Sequence, residues 1–233
     1  MQVAILAGGL ATRLGPMTAT RPKSMLDVAG APFLAHQLAL LHRHGVDDIV
    51  LCIGHLGAEI RRHFGGGEGF GVRIHYSDEG ERRLGTAGAL KWAEPALADT
   101  FFVLFGDSYL PLDYRDVLRE FHVRGTPAAM VVYRNQDRYD ASDVELRDGL
   151  VVRYGRGPRS PDMVYINAGL SVLRRETLGP LPRERPATLQ ELYRPLIDAK
   201  RLAAIETRQR FYEVGSPGGL EEFRRVVTQG APA

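Results

Sequence analysis

Cysteine is nearly absent from this chain of 233 residues, and the one that occurs, Cys52, has no second thiol to pair with. A disulfide scaffold and a thiolate metal site are therefore excluded, and a reducing, cytoplasmic setting is expected. Long hydrophobic runs are also missing. The longest span residues 101–105 and 128–133, far short of the roughly 20 that cross a bilayer. No membrane partner is expected. The N-terminus opens directly on a strand-like run without a basic leader and apolar core of the secretory type, so no export signal is expected. Net charge is scarce too: 30 basic against 28 acidic residues leave +2, which gives no ground for a nucleic-acid partner. Lysine is rare within the basic set, with only Lys23, Lys91 and Lys200 among otherwise arginine residues. Coding bias accounts for that, yet a retained lysine marks a place where a compact ammonium is wanted for itself. What is present is ordinary: 44% hydrophobic and 25% charged residues, the composition of a folded globular chain.

Strands and helices alternate along the first half. Short apolar runs at 2–6, 48–53, 72–76, 101–105 and 128–133 read as strands. Between them, 32–44 carries Phe33, Leu34, Leu38 and Leu41 at helical spacing, and 58–64, 86–97 and 113–123 are further helices. This alternation predicts a Rossmann-like, mostly parallel sheet with helices on both faces. After about residue 134 the texture changes. Segments 143–146 and 151–154 flank Asp148-Gly149, a strong hairpin signal. Strands at 168–173, 202–207 and 211–214 and helices at 189–199 and 218–227 complete the chain. No composition break marks a linker. A single domain over 1–233 is expected, with an antiparallel segment added in its C-terminal part and no internal repeat.

Three stretches carry chemistry. Leu6-Ala7-Gly8-Gly9 follows the first strand, where open α/β sheets place ligands, and Arg13 and Lys23 lie close behind it. Adjacent glycines let backbone N–H groups approach an anion. The loop is not a Walker A motif, for no glycine precedes Lys23. It is not the dinucleotide fingerprint either, for leucine and alanine follow Gly8-Gly9. A plain surface turn would explain the glycines but not the Arg13/Lys23 spacing. Gly106-Asp107 ends the strand at 101–105 and reads either as a carboxylate holding a hard divalent ion or as a turn aspartate. Residues 84–90, with Gly85, Thr86 and Gly88, read either as a helix start approached by a ligand or as a capped helix packed tightly on the sheet.

Taken together these stretches resemble the sugar-1-phosphate nucleotidyltransferases, with their Leu-Ala-Gly-Gly-x-Gly-Thr-Arg-Leu loop and later lysine, Leu-Gly-Thr-Ala-Gly-Ala-Leu segment and Gly-Asp motif. Ile166-Asn167-Ala168-Gly169 is similar to the family's Asn-Ala-Gly strand, and Glu213-Val214-Gly215-Ser216-Pro217 to its late Asp-Ile-Gly-Thr-Pro. The matches keep their order over nearly the whole chain. The pattern from Val151 to Gly157, followed by Met163 and Tyr165, resembles the short guanylyltransferases acting on heptose or mannose 1-phosphate. Departures occur at Ala11 for glycine, Ser24 for proline, Gly155 for glutamate, Arg156 for lysine and Glu213 for aspartate.

The resemblance implies the nucleotide-diphospho-sugar transferase fold, with about 1–133 taking a nucleoside triphosphate and about 134–233 a sugar 1-phosphate. It implies in-line attack of the sugar phosphate on the α-phosphorus and release of pyrophosphate. Arg13 and Lys23 are then catalytic, Mg²⁺ sits on Asp107 and Glu213, and Leu6, Ala7, Gly8, Gly9, Gly85, Thr86 and Gly88 approach the nucleotide. Arg156, Asn167 and Gly169 take the sugar phosphate. Glu79 reads either as the acceptor for the N1–H and N2–H₂ edge of guanine or as a solvated charge beside Asp78 and Glu81. A homo-oligomer is left open. So are two rival functions: a nucleotide-sensing module without turnover, and transfer of another base or onto a non-sugar phosphate. Cys52 is expected to be a buried small hydrophobe.

Overall fold

The computed structural model describes residues 1–9, 14–15, 21–155 and 160–229. In chain order the elements are β1 (Gln2–Leu6), β2 (Asp27–Val28), β3 (Ala31–Pro32), α1 (Phe33–Arg43), β4 (Asp48–Ile53), α2 (Gly57–Phe64), β5 (Arg73–Asp78), α3 (Gly85–Ala93), β6 (Thr100–Phe105), β7 (Ser108–Tyr109), α4 (Tyr114–Arg124) and β8 (Ala128–Arg134). There follow β9 (Val144–Arg147), β10 (Leu150–Tyr154), β11 (Tyr165–Arg174), α5 (Leu189–Asp198), β12 (Leu202–Thr207), β13 (Tyr212–Glu213) and α6 (Pro217–Gln229).

Nine strands form one mixed sheet in the order β5-β4-β1-β6-β11-β8-β12-β10-β9. The first four are parallel, with Ala4 facing Val50 on one side and Val103 on the other. β11 then runs antiparallel between β6 and β8, while β12 is parallel to β8. The sheet is thus less parallel than the alternation of elements predicts, because β8 does not follow β6. Almost every residue of β11 is buried, as a strand covered on both faces must be. Its pattern announces a central position without naming its neighbours. The Asp148-Gly149 hairpin forms as expected: both residues have positive φ, +51° and +73°, and their turn joins β9 to β10.

Each strand sorts its side chains by parity. Val3 and Ile5 face one layer with Leu34, Leu38 and Leu41 of α1, Ile60 of α2 and Phe121 of α4. Ala4 points the other way, toward Ala87 and Leu90 of α3 and Leu192 and Tyr193 of α5. Period-2 strands thus meet period-3.6 helical stripes on both faces. A third, smaller core places Leu220 and Phe223 of α6 on Val28, Phe33, Tyr212 and Val214, with the Phe33 and Phe223 rings edge to face at 5.1 Å. That contact docks the last helix beside the β2–β3 hairpin. The strand order turns at β1, flanked by β4 and β6, so the crevice for a ligand opens beyond their carboxyl ends.

Candidate active site

A cavity of about 650 Å³ occupies that crevice. Leu6, Gly8 and Gly9 line its floor. The Ala7 N–H donates to Cys52 O at 2.9 Å and fixes the exit of β1 against β4. A Cβ at Gly8 would fit tightly, 3.3 Å from Gly54 N and 3.5 Å from a Glu79 carboxylate oxygen. Cys52 also lines the cavity, and burial first, then the Glu79 charge, push its thiol up to about 12. It is an inert wall at neutral pH.

The charged centre is built by three separate pieces of chain. Pro22 ends an extended residue and starts a 3₁₀ turn over Lys23–Met25, which aims the Lys23 ammonium at Asp107. Nζ lies 2.5 Å from Oδ2, with both side chains largely shielded at 20% and 16% exposure. Asp107 sits on the tight turn from β6 into β7. Gly106 is required there, because a Cβ would meet Leu6 O at 2.4 Å. Two-residue strands β7 and β13 then pair antiparallel, with Glu213 opposite Ser108, and the Val214 N–H donates to Asp107 O at 2.9 Å. The Ser108 hydroxyl donates to Glu213 Oε1 at 3.5 Å. Two carboxylates thus sit on adjacent backbones with a lysine on one of them. Such hard oxygen donors suit a divalent cation.

Glu79 follows β5 and is 7% exposed. Its Oε2 accepts the Leu84 N–H at 3.2 Å, and its stem packs against Gly8 and Gly54. Burial raises the carboxyl above its usual range, the Leu84 hydrogen bond opposes this, and the Asp78 charge adds to it. The reading as a solvated loop charge is therefore corrected: the side chain is a wall of the cavity, held in place by the loop it begins.

The opposite wall comes from the second half. Asn167, on β11, donates from Nδ2 to the Tyr154 hydroxyl at 3.3 Å and accepts the Gly169 N–H at 2.9 Å. Its own N–H donates to Asp143 Oδ1 at 3.1 Å. Burial, with the Asp143 charge behind it, pushes the Tyr154 phenol up to about 12, so it stays a neutral donor and acceptor. Asp140, Ser142, Asp143 and Met163 complete this side. The amide, carboxylates, phenol and serine hydroxyl here can hydrogen-bond hydroxyl groups.

The nucleotidyl transferase family profile matches residues 2–221. The chain belongs to the nucleotidyl transferase family. It is 31% identical over 216 residues to UTP–glucose-1-phosphate uridylyltransferase of Synechocystis, covering 85% of this chain and 56% of that protein. It is 30% identical over 247 residues to the mannose-1-phosphate guanylyltransferase catalytic subunit beta of Danio rerio, covering 100% of this chain and 67% of the relative. The chain thus spans about three fifths of the length of such relatives. Among solved structures, HddC from Yersinia pseudotuberculosis complexed with GMP-PN superposes with a TM-score of 0.78 at 26% identity, covering 95% of this chain and 96% of the other. The inositol-1-phosphate CTP transferase of T. maritima shares the fold, with a TM-score of 0.78 at 19% identity.

Within this family member the cavity gathers Leu6, Gly8, Gly9, Lys23, Glu79, Gly85, Thr86, Asp107, Asn167 and Glu213. Three expected residues are elsewhere. Ala7 is buried behind the floor. Gly88 packs closely: its N–H and that of Ala87 both donate to Ala187 O, and a Cβ would crowd Leu84 and Arg185. The Ala87 and Gly88 N–H groups of α3 therefore grip Ala187, while Gly85 and Thr86 line the cavity. Gly169 also packs closely. With φ +86° it forms a bulge in β11, and a Cβ would lie 2.3 Å from Ser108 Oγ. It seats the Asp107 turn from beside the cavity. Arg13 and Arg156 fall outside the described residues. Sequence reasoning missed His55, Arg83, Asp140 and Asp143. His55 follows the carboxyl end of β4, so the rule that found Gly8 and Asp107 could have found it. The others stand on loops with no periodic signal.

Proposed function

We propose that this chain transfers a nucleotidyl group from a nucleoside triphosphate to a sugar 1-phosphate with release of pyrophosphate, using GTP and a heptose or mannose 1-phosphate. The observation that carries this reading is the Lys23–Asp107 contact with Glu213 alongside, set at the crevice where β1 and β6 end. The attacking phosphate needs no general base, since its second pKa is roughly 6. It needs like charges brought together and held. Lys23 supplies a point charge for the α-phosphate, and Arg13 and Arg156 are assigned to the leaving phosphates and to the sugar phosphate.

The carboxylates of Glu79, Glu81, Asp107, Asp140, Asp143 and Glu213 line the cavity together with Lys23 and Arg83. Binding a triphosphate beside so many carboxylates calls for positive charge at the phosphates. Mg²⁺ fits the donor set, because it takes one or two carboxylates together with phosphates, and Asp107 and Glu213 would hold it. When bound it would neutralise phosphate charge and activate the α-phosphorus. For the base, an ionised Glu79 accepts guanine N1–H and N2–H₂ but cannot donate to a pyrimidine carbonyl. The guanylyltransferase relatives and the GMP-PN complex support that choice. We further read 1–133 as the nucleotide half and 134–233 as the sugar-phosphate half of one domain, acting in the cytoplasm. Among the described residues no helix is long and apolar enough to cross a membrane.

A matrix of triphosphates against sugar 1-phosphates, read by pyrophosphate release with Mg²⁺, tests this. GTP with mannose or heptose 1-phosphate should turn over fastest. Asp107→Asn should lower kcat by roughly 10²–10⁴ with the fold intact, as loss of a charge-stabilising group does. Binding of nucleotide without any turnover would favour the sensing module instead, and a mutant keeping a tenth of wild-type kcat would remove Asp107 from the chemistry.

A further inference from the structure

We infer that Arg83 is a nucleotide-binding residue whose guanidinium covers the face of the purine base. The inference rests on the nucleotide reading of the cavity. Its origin is the loop between β5 and α3, which curls around Glu79 through the Leu84 N–H bond. That loop turns on three residues with left-handed backbone: Gly80 at φ +58°, Arg83 at φ +49° and Gly85 at φ +72°. Two of the three are glycine, which takes the conformation freely, and the third is a long cation that takes it under strain. A glycine would serve the turn equally well, so the side chain is the reason for the residue.

The surroundings say what that side chain is for. Arg83 is exposed and lines the cavity beside Glu79, Gly80 and Glu81. Its neighbour Arg82 is already committed, stacked on Trp92 at 4.7 Å and donating to Glu79 O. Lys23 is committed to Asp107. The Arg83 side chain has no ion pair, hydrogen bond or ring contact among the described residues. It is a planar cation at the base end of the site, one residue from the N–H that holds Glu79. Guanidinium planes stack on aromatic faces, and a flat cation complements a carboxylate that reads the edge.

Calorimetric titration of GMP and GTP into the wild-type protein and into Arg83→Gly, Arg83→Ala and Arg83→Lys, with thermal unfolding of each, decides the matter. Arg83→Gly should unfold at or above the wild-type temperature, because its backbone strain is gone, while its Kd for GMP rises at least about fivefold. Arg83→Lys should lose most of the same affinity, since the charge remains but the plane does not. The fold-loss should match for GMP and GTP. A loss that grows with phosphate number would overturn the base assignment, as would unchanged GMP affinity in the glycine and alanine variants. A wild-type protein that binds neither nucleotide would refute the nucleotide reading itself, and a wild-type that binds both separates the two questions.

Discussion

On the proposed reading a single carboxyl group, Glu79, sets the chemistry of the base end. Because burial outweighs its hydrogen bond from Leu84, its pKa lies above the ordinary 4.5. The sign follows directly. A raised folded-state pKa favours the protonated form, so the stability tied to this group is present below 4.5 and is lost as pH rises through the raised value. Guanine reverses that preference, since its N1–H and N2–H₂ donate only to the ionised carboxylate. Guanine-nucleotide affinity should therefore weaken as pH falls through the raised pKa and level off above it. Glu79→Gln should flatten that segment of the profile. Inosine triphosphate lacks the 2-amino donor, so wild-type kcat/KM should favour GTP over it by about tenfold or more, the worth of one charge-assisted bond. Glu79→Gln should bring the ratio near one. Equal use of both triphosphates by the wild type would disprove base reading by Glu79.

At the level of elements, the turn from β6 to β7 is held from three directions. Leu6 O accepts the Gly106 N–H, Asp107 O accepts the Val214 N–H, and Gln37 on α1, 1% exposed, donates from Nε2 to Phe105 O at 3.1 Å and Ser108 O at 2.7 Å. Gln37 does not line the cavity that holds Asp107, and on the proposed reading it positions Asp107. Gln37→Leu should lower the unfolding free energy by about 1–2 kcal/mol for two lost bonds. It should cut kcat by roughly tenfold or more, one 1.4 kcal/mol step, while the KM for triphosphate changes little. Equal effects on kcat and KM would make the role merely structural. The sequence made the strands, helices and hairpin readable because apolar spacing is local. Asp107 and Glu213 were each nameable by resemblance. Their adjacency was not readable, for β7 and β13 are two residues long and join positions 105 apart. Gln37 was hidden as well, because a buried amide on an apolar helix face carries no periodic signal.

For the molecule as a whole, the boundary proposed near residue 133 does not divide the sheet. β6 and β8 come from the first half, yet β11 of the second half lies between them, and β12 flanks β8 on its other side. A chain ending at 133 would leave β8 with neither neighbour and would strip β6 of one edge. The first turn of α3 would also lose its acceptor at Ala187, and the Asp107 turn would lose Val214 and the seat at Gly169. Both layers of core span the join: Leu104 packs in the same layer as Ile205, and Ala87 in the same layer as Tyr193. The two halves therefore cannot melt apart, since opening either exposes backbone and apolar surface of the other. The full chain should unfold in one cooperative step, with calorimetric and van't Hoff enthalpies agreeing. The fragment 1–133 should show neither that transition nor nucleotide binding. A fragment 1–133 that binds GTP with native affinity, or two separate transitions in the full chain, would show that the nucleotide half is an independent domain.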